Sequence, residues 1–391
     1  MNGRELFTAI YAGDIPDRLP IQGLWPWADT VARWQMEGLE FGKDPHEVLG
    51  LVNDDILEIP LDLNMLPTFS VSILDEDERY ITLVDEYGIT KKMLLGDFNA
   101  THGYMKVAGV TSAMSLWIDF PVKDIESWKK ILYERFQPQI SKRFPLDWSV
   151  QQTDFIEKSK SRWITFSCFP LFGFFGPLRQ LMGSEYLLFA MAGDNPSLID
   201  TIINDLTDFW LDIFNQILND VRLDEVVFFE DMASTQAPLI GPGMFRRFLS
   251  PGIKKIVGGL REMGVQQFFI DSDGDIRRLI PDFLASGITG ILPIQVSANM
   301  DIGNLRKEYP TLNLNGGIDK RALAQGPDAI NDELARWFGV AWKTGRCIPR
   351  IDHGAPSDIS WSNIQHFAKR YLDWCTIKPS EEQLRSCFRE V

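Results

Sequence analysis

The sequence predicts an α/β fold, a single (β/α)8 barrel of the TIM type with an N-terminal elaboration that contains a β-hairpin. Short apolar, β-branched or aromatic runs alternate with longer helical patterns beyond about residue 110. That alternation is the signature of parallel strands joined by crossover helices. Six such runs are visible there, and two near the N-terminus bring the count to eight. The 391-residue chain carries no internal repeat and no low-complexity tract, and barrels of this kind use about 250 residues or more as one unit. A doubly wound open sheet is the alternative. On this reading residues 1–110 form the elaboration with the first barrel strands, and residues 111–391 complete the barrel.

In chain order, "GRELFTAIYAG" places Leu6, Phe7 and Ile10 on one helical face. Leu19 to Leu24 is a short extended piece, followed by a helix carrying Thr30, Arg33, Trp34 and Glu37. "PIQGLW" in this region and "LEIPLDL" further on are the two N-terminal strand candidates. "YITLVDEYGITKKMLL", from Tyr80 to Leu95, is two β-rich runs around "DEYG", a hairpin signal. "GDFNATHGYMKVAG" is turn-rich and suits the edge of the elaboration. The later strand candidates are "RWITFSCF" (162–169), "EVVFFED" (225–231), "QQFFID" (266–271), "GILPIQ" (290–295), "LNLNGG" (312–317) and "CIPRID" (347–352). Helical stretches such as "PSLIDTIINDLTDFWLDIFNQIL" and "GPDAINDELARWFGVAWKTG" separate most of them, with Pro or Gly at many junctions.

The charge balance, 39 Lys and Arg against 54 Asp and Glu, gives −15. No excess of cations is left to neutralise phosphates, so nucleic acid is not an expected partner. A small anion held by a few local arginines is compatible, and Lys343, Arg346 and Arg350 in "GVAWKTGRCIPR" place basic residues near the predicted rim. Four scattered cysteines (Cys168, Cys347, Cys375, Cys387) form no C-x-x-C and no framework spacing, as in a reduced cytoplasmic protein. The N-terminus has no apolar signal region, and no window approaches the roughly 18 apolar residues of a membrane span.

Chemistry in such a barrel collects at the C-terminal ends of the strands. Those ends carry Ser167 and Cys168, Glu230 and Asp231, Asp271 and Asp273, Pro293 and Gln295, Asn315, and Asp352 with His353. A buried carboxylate is costly without a metal, a cation or hydrogen bonds, so several at one rim call for a partner. In "QQFFIDSDGDIRRLIP" the acids Asp271, Asp273 and Asp275 follow an apolar run. A calcium EF-hand needs glycine at the sixth loop position and flanking helices; here Gly274 is fourth and a strand precedes it. Asp275 or Asp273 fits the N-cap of the following helix, whereas Asp271 ends the strand and would face the mouth. His353 opens a Gly/Pro/Ser-rich loop. A lone histidine is ordinarily structural, but beside carboxylates it suits mixed oxygen and nitrogen ligation. For Trp25, Trp27, Trp34, Phe169, Phe172, Phe174 and Phe175 core packing is the default. Gly and Pro nevertheless make part of "PLFGFFGP" a loop, so an aromatic-lined small-molecule site is expected.

The stretches "DRLPIQG", "FFEDMASTQAPLIGPGMFRRFLSPGIKKI", "FIDSDGDIRRLIPDFLASGITGILPIQ", "MDIGNLRKEYPTLNLNGGIDKRALAQGPDAI" and "RCIPRIDHGAPSDISWSNI" occur in one order. Together they resemble the uroporphyrinogen decarboxylase superfamily, including its corrinoid-linked methyltransferase branch. The resemblance covers most of the chain, is weakest from about 40 to 110 and at the C-terminal tail, and implies a (β/α)8 barrel. Two departures stand out. Decarboxylases of the family carry an arginine-containing "RQAGR" segment that binds substrate carboxylates, where this chain reads "GLWPWADTVARW". A polycarboxylate would there meet tryptophans and an acidic rim, which Coulomb repulsion disfavours. The methyltransferase branch holds zinc by a His-x-Cys pair and a later Cys; the matching places here are Asp271-Ser272-Asp273 and Asp352-His353. The resemblance thus implies a harder divalent-metal site, zinc first, with Glu230, Asp271, Asp273 and His353 as ligands.

The resulting expectation is a methyltransferase that moves a methyl group from a small donor, methoxylated aromatics among them, to a corrinoid carried by a partner protein. The metal would act as Lewis acid, with Asp271, Asp273 and Glu230 catalytic. Trp25, Trp27, Arg33, Phe172, Phe174, Asp231 and Gln295 would meet the substrate. A second copy of the chain is a further expected partner, and a membrane is not. The second expectation is a cofactor-free decarboxylase of uroporphyrinogen or another acid, in which Asp271 or Glu230 orients pyrrole NH groups or handles protons with a raised pKa. The third is a barrel that binds a ligand without turnover.

Overall fold

The computed structural model of the chain describes residues 1–95, 115–218 and 220–379. The turn-rich stretch 96–109 with His102, the boundary at residue 110 and Cys387 lie outside those residues. The strands are β1 (Ile56–Glu58), β2 (Ser72–Glu76), β3 (Tyr80–Val84), β4 (Thr90–Leu94), β5 (Leu116–Asp119), β6 (Trp163–Ser167), β7 (Glu225–Phe229), β8 (Gln267–Asp271), β9 (Gly290–Leu292), β10 (Asn313–Asn315) and β11 (Cys347–Ile348). Seven of them form one curled parallel sheet in the order β1-β6-β7-β8-β9-β10-β11. After the step from β1 to β6 each strand pairs with the next in sequence, for example Phe229 opposite Asp271 and Asp271 opposite Leu292. Parallel strands are covered on both faces and so read as near-continuous apolar runs; Val226, Phe228, Phe268, Phe269, Ile270, Leu314 and Ile348 are all buried.

Among the described residues the ladder stops at seven strands, so the sheet is a half-barrel of TIM-like kind. The expected strand at "PIQGLW" is reduced to one parallel bridge between Pro26 and Ala355 beyond β11, with Ala355 N–H donating to Trp25 O at 2.8 Å. Pro20 and Pro26 remove backbone donors from this segment, and proline cannot donate to a ladder. Strands β2 to β5 form a separate four-stranded antiparallel sheet. In it β3 and β4 pair from Tyr80–Leu94 to Val84–Thr90, and the Asp85 carboxylate accepts the N–H groups of Tyr87 and Ile89 in the turn between them.

Helices cover the parallel sheet, and their ends follow from local chemistry. Gly3–Ala12 opens on a capping box between Asn2 and Glu5. Pro196–Ile217 and Pro327–Thr344 start with proline. Trp361–Thr376 is capped by Ser360, which accepts Asn363 N–H. The helix Pro196–Ile217 buries Leu198, Ile199, Ile202, Ile203, Leu206, Phe209, Trp210, Ile213 and Phe214.

Phe172 and Phe174 belong to that core and not to a ligand-facing surface. Both are 0% exposed. Phe172 stacks on Phe228 with ring centroids 5.1 Å apart, and both rings pack edge-on against Trp210. Aromatic rings in such geometry contribute packing energy beyond their buried area, and the loop that presents them folds inward against β7.

A candidate active site at the C-terminal edge of the sheet

Parallel strands end at one edge, and the side chains following β7, β8 and β11 meet there. Glu230 follows β7 but turns inward. It is 0% exposed, and its Oε1 and Oε2 accept the backbone N–H groups of Phe174 and Phe175 at 2.9 and 2.5 Å. Burial pushes its carboxyl up to about 7, against the opposing pull of those amides. Both oxygens are committed to the start of the helix Phe175–Met182, so Glu230 fastens a loop and does not share a ligand set with Asp271, Asp273 and His353. The loop reaches β7 because Gly173 and Gly176 permit it: a Cβ on either would lie 2.1 or 2.6 Å from Phe229 O.

Asp231, the next residue, sits at φ 39 and faces the edge. Its Oδ2 accepts from the Arg179 guanidinium at 2.7 Å. Burial raises its carboxyl, with Arg179 opposing. The backbone carbonyl of Asp271 accepts the N–H groups of both Glu230 and Asp231, at 2.9 and 3.1 Å, which locks the two strand ends together.

Asp271 ends β8 half-buried. Burial is the main reason its carboxyl is pushed up to about 7; Arg350 opposes that rise, while Asp273 and Asp231 add to it. Two residues on, Asp273 accepts a hydrogen bond from or shares a proton with His353, Oδ1 to Nε2 2.7 Å. Gly274 gives the chain room to turn: it sits at φ 82, and a Cβ there would lie 2.4 Å from Ser234 O. The Gln295 side chain accepts Gly274 N–H at 2.7 Å, so Gln295 holds the acid-bearing loop. Asp275 takes the cap-like role, accepting Arg277 N–H at 3.1 Å and pairing with its guanidinium.

His353 closes the set from the far side of the sheet. Burial alone would lower its imidazole, but the hydrogen-bonded Asp273 carboxylate outweighs that and holds it up at about 9. Its Nδ1 lies 3.8 Å from Asp352 Oδ1. Asp352 is 1% exposed; Val296 N–H donates to its Oδ2 at 3.1 Å, and Lys320 Nζ stands 4.0 Å from Oδ1. Arg350, two residues before, lays its guanidinium over the Trp25 ring at 4.3 Å, and Trp25 itself is 68% exposed. Trp27 packs its indole against Gly354, where a Cβ would come within 2.7 Å of Nε1. Arg33 is spent on Glu37 and on Ser357 O, both at 2.6 Å, and steadies the loop after His353.

The edge therefore carries four carboxylates (Asp231, Asp271, Asp273, Asp352) and four cationic groups (Arg179, Arg350, His353, Lys320). Sequence reading singled out the acids and missed Arg179 and Lys320, because cations that neutralise strand-end acids come from helices and loops far along the chain. The expected acidic rim is in fact nearly balanced.

This balance decides the fit of a metal. Among the described residues no group of three or more His, Cys, Asp or Glu side chains is placed to hold an ion. Glu230 is engaged by backbone amides, Asp231 by Arg179, and Asp273 by His353. A ligating imidazole must be neutral, whereas Asp273 keeps His353 protonated. The residues present do not fit the divalent metal, zinc included, that the resemblance implied.

Comparison with known proteins agrees with this fold. Residues 180–373 match the family model described as uroporphyrinogen decarboxylase (URO-D). No curated protein matches by sequence. Among solved structures, a methyltransferase from Methanosarcina mazei is similar with a TM-score of 0.58 at 14% identity, over 95% of this chain and 99% of that one. At that identity the likeness speaks for the fold alone.

Proposed function

Since residues 180–373 match the uroporphyrinogen decarboxylase family model, we propose that the chain is a methyltransferase-like enzyme of that superfamily, removing a methyl group from a small donor at the strand-end site and passing it to a corrinoid carried by a partner protein. In this reading the curled sheet is the larger part of a (β/α)8 barrel, with the Pro26 segment in the eighth position. The observation that carries the reading is the 2.7 Å contact of His353 with Asp273, which brings the two segments matching the family's reactive positions to one place beside Asp271.

The corrinoid, when its carrier docks, supplies the nucleophile that accepts the methyl group. The exposed rings of Trp25 and Phe169, 68% and 66% exposed, leave apolar surface open for that approach. The work of this chain lies at the other end of the breaking bond. As the methyl carbon departs, the donor heteroatom keeps the bonding pair and must gain a proton. Asp271, with a carboxyl pushed up to about 7, is protonated in roughly half of molecules at neutral pH, the balance that favours general-acid catalysis. His353, held up at about 9 by its hydrogen bond to Asp273, stays protonated beside it, and Arg350 favours the Asp271 carboxylate left behind. No Lewis acid is needed in this scheme.

Anaerobic incubation with reduced cobalamin and a panel of methoxybenzoates tests the reading. Methylcobalamin should form, persist after EDTA treatment, and be lost in Asp271→Asn. One observation favours a second reading: the same Asp271, beside the Arg350 cation, could protonate a carbanion after loss of carbon dioxide. Conversion of uroporphyrinogen with no methyl transfer would put decarboxylation first.

A further inference from the structure

Arg350 differs from Arg179, Arg346 and Arg336 in what its guanidinium does. Arg179 donates to Asp231; Arg346 donates to the carbonyls of Tyr11 and Ala12; Arg336 is bound to Glu333 and Asp301. Among the described residues the Arg350 side chain donates no hydrogen bond and makes no ion pair; its one direct contact of this kind is the Trp25 ring at 4.3 Å. A guanidinium offers five N–H donors in a rigid fork, and a partly desolvated cation with unused donors is costly unless something accepts them.

We propose that Arg350 is the anchor for a carboxylate group of the substrate, gripped edge-on by the guanidinium fork while Trp25 covers its face. The inference rests on the functional reading for the place of binding and adds the substrate class, a small monocarboxylate. Geometry favours the class. With its Cζ 4.3 Å from the Trp25 ring centroid, the guanidinium keeps its N–H donors free for bidentate pairing, the arrangement that matches carboxylate. Charge favours a single negative group: Asp271 already acts on Arg350, so this one guanidinium with free donors suits a monoanion and not a phosphate dianion. The absent N-terminal anion clamp is then no obstacle, since one carboxylate needs one fork.

The test is titration calorimetry on the full chain with benzoate, its neutral isostere benzamide, and inorganic phosphate. Benzoate should bind about tenfold or more tighter than benzamide and tighter than phosphate. Arg350→Gln should erase the preference for benzoate while circular dichroism stays unchanged. Should that variant fold poorly, Arg350→Lys reads the same question: benzoate weakens several-fold and benzamide does not. Equal binding of benzoate and benzamide, tighter binding of phosphate, or a benzoate preference that survives in the variants would overturn the proposal. Tight benzoate binding with no methyl transfer counts against the reaction alone. Methyl transfer at an undiminished rate in Arg350→Gln counts against the anchor alone.

Discussion

His353 Nε2 stands 2.7 Å from Asp273 Oδ1, joining two residues 80 positions apart in the chain. The contact ties the loop after β11 to the loop after β8 and holds the His353 imidazole up at about 9. It also places a cation beside Asp271 at neutral pH, one of the forces that restrains the rise of that carboxyl.

The first prediction concerns rate and pH. If protonated Asp271 is the donor, kcat falls as pH rises through about 7, the range to which burial lifts its carboxyl with Arg350, Asp273, Asp231 and His353 facing it. Asp271→Asn should lose about 100-fold or more in kcat and flatten the profile. A variant that keeps the same pH step would assign the proton to another group.

The second concerns stability. Asp271 and Glu230 each have a folded-state carboxyl raised to about 7. Between the ordinary carboxyl range and 7 the native state binds protons that the unfolded state has released, so these groups lose stability for the fold as pH rises through that window. Urea midpoints should therefore decline from pH 5 to pH 8. In Asp271→Asn the decline should be shallower, with the gain over the parent largest at pH 8. A parallel decline in both proteins would contradict the assignment.

Glu230 should behave as a structural residue. Glu230→Ala removes two hydrogen bonds from the amides of Phe174 and Phe175 and leaves both amides buried, a cost of about 2–4 kcal/mol in urea unfolding. At temperatures where the variant remains folded, the pH dependence of kcat should be that of the parent. A large loss of kcat without loss of stability would return Glu230 to the chemistry.

Gly274 is the hinge of the acid loop. Gly274→Ala forces a Cβ against Ser234 O, 2.4 Å away, in a left-handed conformation. Activity should fall about tenfold or more as Asp273 shifts relative to His353, while benzamide binding changes little. Unchanged activity would mean that the Asp273 position does not matter.

How much of this was legible in the sequence follows from which forces act locally. β7 and β8 are continuous apolar runs because parallel strands are buried on both faces, and their positions follow from "EVVFFED" and "QQFFID". Asp271, Asp273 and His353 were findable because each directly follows such a run. The direction of Glu230 was not, since neighbouring residues after a strand diverge with one backbone turn, here the φ of 39 at Asp231. A signal did exist: the glycines of "FGFFGP" allow the close approach to Phe229 that delivers two amides to Glu230. The same inward fold buries Phe172 and Phe174. Arg179 lies 52 residues from Asp231, a tertiary pairing that no local pattern announces, and without it the rim reads as acidic and metal-seeking. "PIQGLW" has strand-like composition, but its flanking prolines leave it one bridge.

The most direct test is an NMR titration of the His353 imidazole, assigned by its disappearance in His353→Gln and repeated in Asp273→Asn. A midpoint near 9 that drops by a unit or more when Asp273 loses its charge is the result predicted here. A midpoint at the ordinary histidine value of about 6.5, unmoved by the substitution, would contradict the pairing and the site built on it.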